Sequence, residues 1–298
     1  MSSLPITPAA SCSSHLHPPP NPTLPNPFTP ISVTYLDAEK TEAVLDWEDP
    51  KAARALTQTL LHHDFGLEWD IPLERLCPPV PNRLNYICWV EDLLRLGRVM
   101  MNTNNESHKR VVRGLDVGTG ASAIYPLLGC KVYDWHFLGT DIDPVALEVA
   151  WSNVRRNKLE DCIKLKLVPR VDYSNVTSSA AAASLSLLGP IRMALGGEDE
   201  QATTLDFVMC NPPFFGSLKE IHAGSVNKDG SSSSSSEGLP AAPQTPHGCV
   251  DEVITPGGEL TFVTAMVRDS LVLREKVGWY TSMVGKKSSL RKVLAVLR

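Results

Sequence analysis

The chain has 298 residues, of which 43% are hydrophobic, and a formal net charge of −5 at pH 7. Its length predicts one domain of ordinary size plus tails, and its acidic balance excludes a surface that is basic throughout, although a local basic patch stays open. Its seven cysteines form no C-x-x-C pair, which argues against a disulfide framework or a zinc site. With no apolar run near the ~20 residues of a membrane span and no signal peptide, we expect a soluble intracellular protein without a bound metal.

Two stretches have the composition of disordered segments. Residues 1–30 contain no Asp, Glu, Lys or Arg but nine prolines and several serines. The stretch at 217–250 includes "DGSSSSSSEGLPAAPQTP" and is also poor in residues that bury surface. We therefore predict a disordered Pro/Ser-rich tail at 1–30 and a disordered insertion at 217–250.

A helical N-terminal portion is predicted over residues 31–108. Asp49 is a good N-cap for a first helix, Pro50 suits the first helical position, and Gly66 can end the helix. The run "PNRLNYICWVEDLLRL" has apolar residues at helical spacing, which predicts a second helix.

From about residue 109 the pattern changes to alternating strands and helices. In chain order we predict a strand in "VVRGLDVG", a helix in "SAIYPLLG", a strand in "WHFLGTDID", a helix in "PVALEVAWSNVRRNK", strands in "IKLKLVP" and "LDFVMC", a helix in "GGELTFVTAMVRDSLVLREK", a strand in "GWYTSMVG" and a helix in "SSLRKVLAVLR". Strands separated by helices predict an α/β fold with a doubly wound parallel sheet over residues 109–298.

A glycine turn, "LDVGTGAS", follows the first strand and opens a helix. Gly118 and Gly120 allow a tight turn and a close approach of a ligand to the backbone, although a purely structural turn would have the same pattern. Asp141 ends the second strand, where a carboxylate can accept hydrogen bonds from both ribose hydroxyls. Its alternative role is to cap the next helix, for which Asp143 is better placed. This spacing fits a nucleoside, from NAD or from S-adenosylmethionine.

A proline turn, "CNPPFF", follows the fourth strand. Pro212 and Pro213 restrict the backbone, so the side-chain oxygen of Asn211 and the carbonyl of Pro212 can be held as two acceptors for an exocyclic amino group. Phe214 can stack on a planar acceptor. A dinucleotide enzyme has no need for this arrangement, whereas methyl transfer to an amino group does. The two motifs together favour S-adenosylmethionine over NAD, and the alternative is a rigid turn alone.

Five segments in order resemble the methyltransferase-like 16 family over about residues 49–292. They are "IPLERLCPPVPNRLNYICWVEDLL", "GLDVGTGASAIYPLLG", "CNPPFF", "GGELTFV" and "WYTSMVGKKSSL". The resemblance implies a Rossmann-like class I methyltransferase that uses S-adenosylmethionine to methylate N6 of adenosine in RNA. It implies a structured RNA hairpin like that of U6 small nuclear RNA as the partner. It also implies location in the nucleus, with the cytoplasm as a second site.

The resemblance also assigns site residues. Arg83 would pair with the methionine carboxylate through its guanidinium fork, although without the resemblance it fits a solvated charge at a helix start. The catalytic residues implied are Asn211, Pro212, Pro213 and Phe214. The cofactor-binding residues implied are Arg83, Gly118, Ser122, Asp141, Asp172 and Asn211.

The chain departs from the family at two places. The family's sheet continues with an antiparallel pair of strands after the last predicted helix, and its additional RNA-binding region follows. We therefore expect a fungal-type member that is truncated at its carboxyl end, with the fifth strand as an exposed edge. The insertion at 217–250 is longer than the corresponding loop of relatives, which affects access of the acceptor.

The sequence leaves open other methyl acceptors and other functional classes. A small-molecule amine N-methyltransferase of the tryptamine type shares this ancestry, and a non-catalytic RNA-binding or regulatory protein would retain the fold. His62 and His63 diverge by ~100° on a helix, which indicates surface positions and no metal site. Two groups are candidate phosphate contacts, and each is also compatible with a solvated helix face. They are Arg155, Arg156 and Lys158, and Lys286, Lys287, Arg291 and Lys292.

Overall fold

Five parallel strands form one sheet, in the order β3-β2-β1-β4-β5. The computed structural model describes residues 49–100, 110–172, 188–196, 204–217, 220 and 254–297; the predicted tail at 1–30 and all but two residues of the predicted insertion at 217–250 lie outside the described residues. The predicted α/β class with a doubly wound sheet is confirmed. The strands are β1 (Arg113–Val117), β2 (His136–Asp141), β3 (Ile163–Leu167), β4 (Leu205–Cys210) and β5 (Val277–Tyr280).

The strand order reverses next to β1. The chain runs outward from β1 through β2 to β3 and then crosses to β4 and β5 on the other side. Parallel sheets of this kind bind ligands outside the carboxyl ends of the strands at such a reversal. Among the described strands β5 pairs only with β4, so it lies at an edge as expected.

Helices cover both faces of the sheet. None of those in the described ranges is long and apolar enough to cross a membrane. They are α1 (Pro50–Phe65), α2 (Val80–Met100), α3 (Ile124–Tyr133), α4 (Pro144–Arg156), α5 (Pro190–Leu195), α6 (Gly258–Leu273), which a short 3-10 turn follows, and α7 (Lys287–Val296).

The predicted ends of α1 and α4 are confirmed. Asp49 accepts a hydrogen bond from the backbone N–H of Lys51, and Gly66 ends α1 in the left-handed conformation with φ 61°. Asp143 caps α4 in the same manner, with the backbone N–H of Val145 donating to its carboxyl at 2.9 Å. Each cap satisfies a backbone donor that the first turn of a helix leaves without a partner.

The short helix α5 was not predicted, because a residue distant in the sequence caps it. Asp269 of α6 accepts hydrogen bonds from the backbone N–H groups of Gly189, Ile191 and Arg192 at 2.8–3.0 Å. Burial raises the pKa of Asp269 to about 6, although these three N–H groups oppose the rise. Helices this short are not stable alone, so α5 depends on α6.

The N-terminal helices share one hydrophobic core with the sheet. Leu61 of α1 and Ile87 of α2 pack in the same cluster as Leu127 of α3 and Phe207 of β4. The other face of the sheet has a second cluster, in which α5 and α6 cover β1 and β4. Burial of apolar surface on both faces is what the continuous apolar strands of a parallel sheet require.

Side-chain amides of α4 fix the loop between α1 and α2. Asn153 both donates to and accepts from the backbone of Asp70, at 2.9 and 3.0 Å. Asn157 does the same with the backbone of Glu68, at 2.7 and 2.9 Å. The indole N–H of Trp69 donates to the carbonyl of Ser122 at 2.9 Å. This loop is therefore held over the carboxyl ends of the strands.

Gly114→Ala is expected to lower the free energy of unfolding by about 1–3 kcal/mol. A Cβ at residue 114 would lie 2.3 Å from Cζ of the buried ring of Phe207. Urea unfolding measures the loss, and the double variant Gly114→Ala/Phe207→Leu tests its cause. A smaller side chain at 207 makes room, so the double variant should lose less than the sum of the two single changes. Strictly additive losses would rule out this contact as the cause.

Candidate active site

A cavity opens at the carboxyl ends of β1, β2 and β4. Its walls come from the glycine turn after β1, the end of β2, the proline turn after β4, α5 and the segment at 254–256. The α1–α2 loop adds Leu76 and Pro78. The predicted site residues that line it are Arg83, Gly118, Ser122, Asp141, Asn211 and Pro213.

The glycine turn has the backbone that the sequence predicted. Gly118 and Gly120 have φ values of 75° and 63°, which favour glycine. The N–H groups of Gly118 and Thr119 both donate to the carbonyl of Thr140 at 2.9 Å, which ties the turn to β2. A Cβ on Gly118 would meet no heavy atom of the described residues within 4 Å. A side chain here would therefore extend into open space at the cavity wall, where a ligand can approach the backbone.

Asp141 joins the glycine turn to the end of β2. Its carboxyl accepts hydrogen bonds from the backbone N–H groups of Gly120 at 2.8 Å and Asp143 at 3.0 Å. Burial raises the pKa of Asp141, and these hydrogen bonds oppose the rise. A carboxylate has about four acceptor sites, so the two hydrogen bonds leave capacity for ribose hydroxyls. The cap of α4 is Asp143, as the sequence indicated.

An ion pair that the sequence did not reveal fixes the rim of the cavity. Arg75 of the α1–α2 loop donates to the carboxyl of Asp143 at 2.6 Å, and both side chains are largely buried. Burial opposes ionisation of Asp143, but the hydrogen bonds from Arg75 and from the N–H of Val145 outweigh it and lower the pKa. The pair thus links the loop to the first turn of α4. Only the fold brings these distant residues together.

Arg83 lies on the cavity wall and is 8% exposed. One guanidinium nitrogen, Nη1, donates to the hydroxyl of Tyr125 at 2.9 Å and contacts the sulfur of Met283 at 3.4 Å. The guanidinium has five N–H donors in all. The contacts within the described residues therefore leave donors for an anionic group in the cavity, and Arg83 is not a solvated helix-start charge.

The proline turn is fixed at its first residue. Asn211 lines the cavity, and among the residues that the structure describes its buried side-chain oxygen has no hydrogen-bond partner. The preceding residue, Cys210, donates its backbone N–H to the hydroxyl of Tyr86, 3.4 Å away. That hydroxyl also hydrogen-bonds to the hydroxyl of Thr281 at 2.8 Å. Tyr86 of α2 therefore helps to position the turn, a role that its place in an apolar helix did not indicate.

The end of the proline turn packs against the start of α6. The N–H of Thr255 donates to the carbonyl of Phe215 at 2.9 Å. A Cβ on Gly258 would lie 3.1 Å from the backbone nitrogen of Gly216, so glycine allows the two backbones to approach. Pro213 lines the cavity, whereas Pro212 and Phe214 do not. The catalytic roles of these three residues stay predictions.

Asp116 of β1 is a second buried acceptor next to the site. Its place inside "LDVGTG" did not indicate a functional role. Asp116 is 0% exposed, and among the described residues neither carboxyl oxygen has a well-formed hydrogen bond. Burial raises its pKa to about 7, although the nearby hydroxyl of Thr119 opposes the rise. Its register partner on β4 is Met209, two residues before Asn211. In the described ranges, the carboxyl end of β1 and the proline turn after β4 thus each contain a buried polar group without a well-formed hydrogen bond.

Several other predicted residues lie away from the cavity wall. Asp172 is exposed and does not line the cavity, although Arg170 and Val171 do, so its role stays a prediction. His62 and His63 pair with Glu68 and Asp64 at the end of α1. In the described ranges, no three His, Cys, Asp or Glu side chains are grouped so that they could hold a metal ion.

A family model described as RNA methyltransferase, Methyltransf_10, matches residues 32–298. The chain belongs to this family. The match extends over the glycine turn, the proline turn and every other described residue.

Two relatives confirm the resemblance read from the sequence. The RNA N(6)-adenosine-methyltransferase METTL16 of Mus musculus is 42% identical over 255 residues, which are 85% of this chain and 40% of the mouse protein. The U6 small nuclear RNA (adenine-(43)-N(6))-methyltransferase of Schizosaccharomyces pombe is 35% identical over 254 residues, which are 85% of this chain and 55% of that protein. The chain thus spans 40% and 55% of the lengths of these relatives.

Two solved structures share the fold. The human METTL16 catalytic domain in complex with MAT2A 3′UTR hairpin 1 has a TM-score of 0.61 and 40% identity, covering 84% of this chain and 72% of that one. The N-terminal domain of human METTL16 in complex with SAH has a TM-score of 0.55 and 37% identity, covering 85% of this chain and 74% of that one. The class I methyltransferase architecture expected from the sequence is therefore confirmed.

Asp116→Asn is expected to flatten the dependence of stability on pH. The folded-state pKa of about 7 lies above the unfolded value near 3.8, so the folded state binds more protons between these values. This carboxyl therefore makes stability fall as pH rises through that window. Urea unfolding at pH 5 and pH 8 should show a smaller difference for Asp116→Asn than for the wild type. Asp92→Asn, at an exposed position on α2, is the control; equal differences for the two variants would contradict the assignment.

Proposed function

We propose that the chain catalyses N6-methylation of adenosine in RNA with S-adenosylmethionine as the methyl donor. The side-chain oxygen of Asn211 carries this proposal, because it is buried on a rigid turn at the cavity wall and has no hydrogen-bond partner within the described part of the chain. A buried acceptor without a partner costs about 1–3 kcal/mol. Such a cost is expected where a ligand donates the missing hydrogen bond.

The residues of the cavity fit S-adenosylmethionine. Gly118 lets a ligand approach the backbone, Asp141 would accept hydrogen bonds from the ribose hydroxyls, and Arg83 would pair with the methionine carboxylate. The bound cofactor supplies a methyl group attached to positively charged sulfur. The SAH complex of the human relative supports this assignment.

The proline turn would hold the acceptor amino group. We assign two acceptors for the N6 hydrogens, the side-chain oxygen of Asn211 and the carbonyl of Pro212. With both N–H bonds engaged, the nitrogen lone pair is directed away from them, and the two prolines keep both acceptors in place. Such orientation contributes at most ~7–11 kcal/mol. No strong base is needed before transfer, because the nitrogen becomes acidic once methylated and loses its proton to water.

RNA with a hairpin like that of U6 is the proposed substrate. The relatives' names specify N6 of adenosine, and the human catalytic domain binds an RNA hairpin. An adenine must leave its stack to reach such a site, and we assign Phe214 as the ring on which it stacks. Lys286 and Lys292, which lie beside the start of α6, are proposed phosphate contacts. A nuclear location belongs to the same proposal.

The first test is methyl transfer from tritiated S-adenosylmethionine to a U6-like hairpin. The wild type should label the hairpin, and Asn211→Ala should lower kcat about 100-fold or more, by analogy with the loss of one oriented group in a preorganised site. Asn85→Ala, at an exposed position on α2, should retain activity. Scintillation counting of the recovered RNA provides the rates.

The same assay, together with calorimetry, distinguishes RNA methylation from the two alternative functions. Label on a tryptamine but not on the hairpin would replace the proposal with a small-molecule amine N-methyltransferase. Calorimetric binding of S-adenosylmethionine and of RNA without any transfer would indicate a non-catalytic regulatory protein. Absence of cofactor binding would overturn the whole assignment.

Arg83→Gln is expected to weaken binding of SAH about 10- to 100-fold, since hydrogen bonds between charged groups are worth about 1.5–3 kcal/mol. The affinity for 5′-methylthioadenosine, which has no amino-acid carboxylate, should not change. Calorimetry measures both dissociation constants, and Arg95→Gln, on the exposed side of α2, is the control. An equal loss for both ligands would show that Arg83 supports the cavity without contacting a carboxylate.

A further inference from the structure

The segment after β5 runs beside the proline turn. Its backbone continues the pairing with β4, because Thr281 N–H donates to the carbonyl of Val208 and Met283 N–H to the carbonyl of Cys210, both at 2.9 Å. The last of these contacts lies one residue before Asn211. The position of this segment is therefore coupled to the position of the turn.

Gly285 of this segment contacts the ring of Phe214. A Cβ on Gly285 would lie 3.1 Å from Cδ1 and 3.2 Å from Cε1 of that ring. This spacing is tighter than side chains normally tolerate, so Gly285 lets the ring lie directly against the backbone. The location of Gly285 thus determines how far the ring of Phe214 can move in this direction.

A buried carboxyl group holds Gly285 in place. Glu259, in the first turn of α6, is 1% exposed. One of its oxygens accepts a hydrogen bond from the backbone N–H of Gly285 at 2.8 Å, and the other accepts from that of Lys286 at 3.3 Å. An acid near a helix N-terminus is favoured by the helix dipole alone. That preference does not require burial, nor does it explain why both oxygens bind successive amides of another segment.

We call the two hydrogen bonds from Gly285 and Lys286 to Glu259 the Glu259 clamp. Through Lys286 this clamp also affects the second aromatic residue of the turn. The Lys286 ammonium lies 4.9 Å from the ring centroid of Phe215 and also pairs with Glu220. Cations at this distance from an aromatic ring are attracted to its face. Glu259 thus fixes two successive residues, each of which contacts one phenylalanine of "NPPFF".

We propose that Glu259 is a positioning residue for the acceptor side of the site, acting through Gly285 on Phe214. This inference rests on the proposed function, since it assumes that the ring of Phe214 stacks on the acceptor base. Glu259 does not line the cofactor cavity. Its effect is therefore confined to the acceptor and leaves binding of the cofactor unchanged.

Glu259→Gln tests the proposal, because the amide replaces one of the two acceptors without a change of size. We expect kcat/KM for the RNA hairpin to fall about 10- to 100-fold, the range associated with loss of base stacking. The dissociation constant for SAH should stay within about twofold, as expected for a residue outside the cofactor cavity. Gly285→Ala should likewise lower kcat/KM for the hairpin and leave the dissociation constant for SAH unchanged, because a Cβ there would lie 3.1 Å from the ring of Phe214 and 3.2 Å from Oε2 of Glu259; its φ is not in the left-handed region, so alanine adds no backbone strain. Glu148→Gln, at an exposed position on α4, is the matched control.

Amide hydrogen exchange measures how strongly Glu259 protects the N–H groups of Gly285 and Lys286, and this measurement does not depend on enzymatic activity. Exchange at Gly285 or Lys286, whichever N–H loses its acceptor, should be at least about tenfold faster in Glu259→Gln, while β1 and β4 keep their protection. Equal losses of RNA turnover and SAH affinity, or unchanged kcat/KM in both variants, would overturn the proposal. If the wild type methylates no RNA but exchange still responds, the proposed function fails while the clamp stands. If Glu259→Gln does not fold, Gly285→Ala decides the question.

Discussion

The register between β1 and β4 determines where the site lies. Val117 and Cys210, the last residues of the two strands, are partners in this parallel pair. The residues that follow them, Gly118 and Asn211, therefore emerge side by side at the carboxyl edge of the sheet, where adjacent strands are about 4.8 Å apart. A shift of one residue would move the proline turn away from the glycine turn and would reverse the faces of every side chain on β4.

Contacts from outside the sheet then restrict both turns. Asp141 and the carbonyl of Thr140 bind N–H groups of the glycine turn. Tyr86 reaches the N–H of Cys210 from α2, and Glu259 holds the segment that lies against Phe214. These are hydrogen bonds to backbone groups, which transmit position more rigidly than contacts between flexible side chains. The N-terminal helices are thus part of the site as well as part of the core.

Within the part of the chain that the structure describes, the site contains buried polar groups without a well-formed hydrogen bond. The oxygens of Asp116, the hydroxyl of Thr119 and the side-chain oxygen of Asn211 are all buried in this state. Asn153 and Asp269, in contrast, are buried polar groups with several partners each. Residues that lower stability without an evident structural gain are expected at functional sites. Their location next to both turns agrees with the proposed binding of a cofactor and an amino group.

The amino-acid sequence determined the elements whose signals are local. Asp49 and Asp143 mark the starts of two helices. Short apolar runs between helical patterns predict the five strands, and glycines and prolines predict the two turns. Because the strands are parallel and separated by helices, these local patterns were enough to predict the fold class and to place Gly118, Asp141 and Asn211 at one edge. The cofactor-binding roles predicted for Arg83 and Ser122 rest on the family resemblance.

Only the tertiary structure decided the contacts between distant residues. The cap of α5 by Asp269, the ion pair of Arg75 with Asp143 and the clamp of Glu259 on Gly285 join residues 26 to 80 positions apart. No local periodicity or spacing encodes such pairs, since each depends on how helices pack on the sheet. The burial of Asp116, which raises its pKa, likewise follows from packing on both faces of the sheet. The local sequence around Asp116 does not indicate this burial.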